Sequence, residues 1–86
     1  MLLYLVIVDM RKALKQLKAA SIKVHNKSEI KMHVKAKDPD DACAVAIDKI
    51  YKDILKTRNS ARVRDTAEKV KHLISIKKIR KASSNK

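Results

Sequence analysis

Three histidines, one cysteine and a cluster of aspartates are the residues of this 86-residue chain whose types could support chemistry. His25 and His33 fall on one face of a period-two stretch and His72 comes late in a helical one, so a general acid and base for RNA cleavage can be drawn from them. The same placement describes exposed polar-face histidines that gain charge as pH falls, and no catalytic motif accompanies them. Cys43 sits on an apolar helical stripe with no partner at metal-ligand spacing, which reads as an inert core thiol. Asp38, Asp40 and Asp41 surround Pro39 as an Asp N-cap, a Pro at the first helical position and acids in the first turn, so helix-start chemistry accounts for all three. The expectation is a protein with no catalytic residue, no metal and no cofactor.

Glycine is absent from the chain. Its absence removes the phosphate-cradling loop, the dinucleotide fingerprint and the nucleophile elbow, each of which needs backbone that only glycine adopts cheaply. A chain this short buries about 60–65% of its unfolded surface, enough for one modest core and too little for a multi-part enzyme.

What remains is charge. There are 22 Lys and Arg against 9 Asp and Glu, a net +13. An AT-rich genome would favour Lys over Arg and raise Ile, but it does not explain the shortage of acids. The charge is segregated: +7 over residues 1–37, −2 over 38–57 and +8 over 58–86. If the sheet and the last helix share a surface, the candidate binding residues form one positive field: Lys31, His33, Lys35, Lys37, Arg58, Arg62, Arg64, Lys69, Lys71, Lys77, Lys78, Arg80 and Lys81, with Lys23 beside them. Phosphate backbone is the matching partner, because neutralising phosphates releases condensed counterions without any base reading. The only aromatics, Tyr4 and Tyr51, fall on expected core faces, so the stacking platform of single-strand readers is missing. Recognition of folded or double-stranded RNA by shape and backbone fits best. Non-specific DNA binding and direct inhibition of an acidic protein partner are the alternatives, with a small ribonuclease behind them. Replacing Arg58, Arg62 and Arg64 together is expected to weaken RNA binding and its salt dependence.

The elements that must position these residues follow from periodicity. Residues 2–8 are apolar on both faces, which predicts a central strand. Seven apolar residues without a basic leader are neither a signal peptide nor a membrane span. A lone cysteine fits a reducing, cytoplasmic setting. Asp9 is expected to cap a helix from Met10 to about Ala20, with Met10, Ala13, Leu14 and Leu17 inward and Arg11, Lys12, Lys15 and Lys18 outward. From Ser21 the period becomes two. Ile22 and Val24 predict the first arm of a ribbon, residues 26–28 its turn, and Ile30, Met32, Val34 and Ala36 opposite Lys31, His33, Lys35 and Lys37 its second arm. Such a ribbon could enter a DNA major groove, although it presents Lys and His where base readers use Arg, Asn and Gln. A helix is expected from Pro39 to about Thr57, with Cys43, Ala46, Ile47, Ile50 and Ile54 inward and Tyr51 and Leu55 flanking. Residues 58–60 end it and cap another helix carrying Val63, Ala67, Val70 and Ile74. Residues 73–79 are read as a strand for their β-branched side chains, against the helical 70/74 spacing, and 81–86 as a disordered basic tail. The fold expected is α+β, a single basic domain over residues 1–80 with a small antiparallel or mixed sheet of three to four strands packed with two to three helices. An exposed sheet edge makes a homodimer the expected assembly.

The opening strand MLLYLVIV, the passage SEIKMHVKAKDPDDACAVAIDKIYKDIL over residues 28–55, the lack of glycine and the basic end together resemble the small early proteins of T4-like bacteriophages. The likeness spans most of the chain and lies in overall character rather than a diagnostic motif. It implies an RNA-binding inhibitor of the ribonuclease toxin of a host toxin–antitoxin system, acting stoichiometrically through an RNA-dependent complex in the host cytoplasm. It assigns no individual residue a role.

Overall fold

The first strand, β1 (Leu2–Asp9), organises the molecule, because its two apolar faces suit a position with a neighbour on either side. The structure is a computed structural model that describes residues 2–23, 27–57 and 60–82. After β1 come α1 (Arg11–Ala19), β2 (Glu29–Ala36), α2 (Pro39–Thr57), α3 (Ala61–Leu73) and β3 (Ser75–Lys81). The sheet is antiparallel in the order β2-β1-β3, so the fold is α+β, with three strands and three helices among the described residues.

The helices cover one face of the sheet. Tyr4, Val6 and Val8 of β1 and Val34 and Ala36 of β2 point into a core completed by Ala42, Ala46, Ile50 and Ile54 of α2. The helix α2 lies against all three strands, and α3 packs on α2 and α1. Register on the β3 side contains a bulge: Ile7 pairs with Lys78 and Val8 with Ile76, which leaves Lys77 as the extra residue. Ile76 and Ile79 are three apart and would otherwise face opposite ways. The bulge turns both toward the core, opposite Val8 and Val6.

Local capping sets the boundaries. Asp38 precedes Pro39, and its Oδ1 accepts a hydrogen bond from the Asp41 N–H at 2.8 Å, while Asp41 Oδ2 accepts from the Lys37 N–H at 3.2 Å. Ser60 is extended and its hydroxyl accepts from the Val63 N–H at 3.2 Å, starting α3. At α1 the helix begins at Arg11 with Met10 as N-cap, so Asp9 stays in the strand. Its carboxylate still accepts from the Arg11 N–H at 3.0 Å and serves the helix from one position earlier than expected.

Four sequence expectations are corrected. The first ribbon arm does not form at Ile22 and Lys23, which are not strand; Val24, His25 and Asn26 lie outside the described residues. The helix α1 closes with a reversal in which the Ser21 N–H donates to the Lys18 carbonyl and the Ile22 N–H to the Leu17 carbonyl, so Ile22 is buried as part of the helix end. Among the described residues the partner of β2 is β1. The buried line of α2 is Ala42, Ala46, Ile50 and Ile54, rotated so that Cys43 and Ile47 are only half-buried. The last strand starts at Ser75, since α3 keeps its helical spacing through Leu73 and ends on the buried, extended Ile74. It also runs to Lys81, which belongs to the sheet and not to the expected tail; residues 83–86 of that tail lie outside the described residues.

Candidate nucleic-acid interface

Alternation along β1 leaves Leu3, Leu5 and Ile7 on the face that no helix covers. Residues directly opposite in an antiparallel pair share a face. Ile7 stands between Lys31 of β2 and Lys78 of β3, Leu5 between His33 and Arg80, and Leu3 beside Lys35. All five flanking side chains are exposed, whereas the three aliphatic ones are half-buried by their neighbours. Strand spacing sets the two cationic rows roughly 9–10 Å apart, with successive ranks about 6.5–7 Å along each row. The surface is an aliphatic stripe edged on both sides by positive charge.

One end of this face is different. Asp9 lies opposite Glu29, a like-charge pair that would be unfavourable alone. Each acid has its own cation. Arg11 forks onto Asp9, Nε to Oδ1 at 3.1 Å and Nη2 to Oδ2 at 2.8 Å, and Lys77 on the bulge reaches Glu29 Oε1 at 2.7 Å. The Arg11 hydrogen bonds hold the Asp9 carboxyl down from 3.8 to about 2, and the Lys77 contact lowers Glu29 in the same direction. Lys77 is thus already committed to a carboxylate.

The described sequence candidates divide between the open sheet face and the helix layer. Lys31, His33, Lys35, Lys78 and Arg80 come together on the open sheet face, with Lys77 at its acidic end. Lys81 pairs with Tyr4 and so belongs to the helix-covered side of the sheet margin, while Lys37 follows β2, its backbone turned to Asp41. Arg62, Arg64, Lys69 and Lys71 are on α3, in the helix layer behind the sheet, and Arg58 lies outside the described residues. That layer is mixed in sign. Tyr51 donates its hydroxyl proton to Glu68, which raises the tyrosine's pKa, and Lys71 Nζ stands 5.2 Å over the Tyr51 ring. Asp48 pairs with Lys52 at 3.0 Å on the same helix.

The groups considered for chemistry are dispersed. His33 is on the open face and His72 in the last turn of α3, with the sheet and core between the two layers, and His25 lies outside the described residues. Burial raises the pKa of the Cys43 thiol, so the nucleophilic thiolate is disfavoured. Among the described residues no three His, Cys, Asp or Glu side chains gather as a metal site requires, and no helix is long and apolar enough to cross a membrane.

Sequence reasoning missed Leu3, Leu5 and Ile7 as surface residues because strand periodicity cannot tell a covered apolar face from an open one. A signal was present: a cationic row on β2 must share its face with alternate residues of its neighbour. Searches for a matching family model, a related curated protein and a similar solved structure found none.

Proposed function

We propose that the protein is a non-enzymatic RNA-binding protein that holds RNA phosphates on the open face of its sheet. The observation that supports the reading is the ordered arrangement of Lys31 and Lys78, His33 and Arg80, and Lys35 around the aliphatic stripe. A net +13 draws polyanions from a distance, and two cationic rows give them a place to dock where counterion release supplies affinity. The likeness to small early phage proteins gives the binding a specific form, inhibition of a host ribonuclease toxin within an RNA-dependent complex. Nuclease treatment during purification from host cells separates that form from its rival: an RNA-bridged complex falls apart, and a direct complex with an acidic protein survives.

The binding itself is tested by titrating labelled RNA over a salt series. Replacing Lys31, Lys35, Lys78 and Arg80 by Ala removes four phosphate partners, and the log–log salt slope should fall by about 3. Replacing Arg62, Arg64 and Lys69 should change it less, because these side chains belong to the helix layer. A folded quadruple variant with an unchanged slope would move the site to α3.

A further inference from the structure

We infer that the open face takes RNA in single-stranded form, with unpaired bases laid on Leu3, Leu5 and Ile7 and their phosphates held by the flanking cations, an inference that rests on the RNA-binding reading above. The stripe carries no hydrogen-bond donor or acceptor on its side chains. Duplex RNA is recognised across its minor groove through 2′-hydroxyls and base edges, and laying these on Leu and Ile would strip them of water without replacement. An unpaired base instead offers an apolar ring face, and that is what an aliphatic stripe can cover. The geometry agrees: Ile7 lies between Lys31 and Lys78, Leu5 has Arg80 on one side with His33 on the other, and Leu3 has Lys35 on one side. A phosphate held on an outer strand therefore sits about one strand spacing, roughly 4.8 Å, to the side of the stripe on which its base would lie.

Two features limit the footprint and its selectivity. Asp9 and Glu29 close one end of the face with carboxylates already paired to Arg11 and Lys77, so the bound strand runs from the Lys31–Lys78 rank toward Lys35. Aliphatic contact covers any base, and no side chain on the stripe reads a base edge, so binding tolerates sequence. The absence of aromatic residues therefore reduces the strength of base contact at this face and leaves its place unchanged.

The test installs the missing stacking surface. Leu5→Phe and, separately, Ile7→Tyr are titrated with a labelled oligouridylate and with a blunt RNA duplex of equal length, and circular dichroism melting checks each fold. If bases lie on the stripe, each aromatic should tighten oligouridylate binding about tenfold and leave duplex binding unchanged. Unchanged single-strand affinity, or an equal gain for the duplex, overturns the inference. In that case continued weakening by the quadruple Ala variant keeps the RNA-binding reading intact. If that variant also binds normally, the reading fails first and takes the inference with it.

Discussion

Ser21 holds a positive φ of 59° at the end of α1, in a chain with no glycine. A left-handed residue with a Cβ costs about 1–2 kcal/mol, whereas glycine there would give back roughly 0.4–1 kcal/mol through the freer unfolded chain. Ser21→Gly should therefore stabilise the protein by about 0.5–1 kcal/mol, read as a higher thermal midpoint; a lower midpoint would mean that the serine side chain matters there. At the opposite end of α1, Asp9 makes a prediction about acid. Its pKa is lowered in the folded state, so its stabilising contribution is complete above pH 3.8 and disappears as pH falls toward 2. Asp9→Asn should flatten the acid-unfolding profile in that window, and an unchanged profile would show that the Arg11 fork contributes nothing in solution. Local contacts of this kind were legible in the sequence: Asp38 with Pro39, and Ser60, read as caps because the partners lie within a few residues. The Glu29–Lys77 pair was not, because its partners are 48 residues apart and meet only through the bulged register of β3.

At the level of elements, α2 carries the packing, since it alone of the helices contacts every strand. Ile50 is fully buried at its centre. Ile50→Ala leaves a cavity between helix and sheet and should cost about 2–5 kcal/mol in a denaturant titration, a large share of the stability of a domain this size. A cost below about 1 kcal/mol would mean the sheet collapses onto the shortened side chain. Periodicity found β2 and all three helices because each has one strong repeat on a continuous segment, and β1 was found by a short run apolar on both faces. Where two periods compete, over residues 73–79, the β-branched side chains indicated the last strand with bounds two residues early, and the reading failed where a helix end intervenes. Ile22 and Lys23 alternate like a strand, yet the reversal at Ser21 uses the Ile22 N–H for the Leu17 carbonyl and buries its side chain against the helices. Lys31, His33 and Lys35 were legible as a row on one strand, and Lys78 and Arg80 as part of a basic C-terminal third; their arrangement on either side of β1 was not, because it depends on β1 separating β2 from β3.

For the whole molecule, the strand order leaves β2 and β3 as edges among the described residues, and the homodimer expected from the sequence could pair through one of them. The bulge at Lys77 and the neighbouring lysines blunt β3 against pairing, which favours β2. Two β2 strands related by a twofold axis through His33 would place Lys31 of one copy opposite Lys35 of the other on the same face, and like charges directly opposite are destabilising. Each copy also brings a net +13 to the encounter. Dimerisation by this edge is therefore opposed by long-range repulsion that salt screens, with the Debye length falling from about 10 Å at 0.1 M to about 3 Å at 1 M. If the proposed function holds, bound RNA would relieve the same repulsion by neutralising both faces at once, and a strand spanning two copies would gain further from effective concentration. In sedimentation experiments the RNA-free protein should run as a 9.8 kDa monomer at low salt, and the dimer fraction should rise with added salt or with oligouridylate. A dimer that dissociates as salt increases would point to ion pairs across the interface, and so to a surface other than the β2 edge.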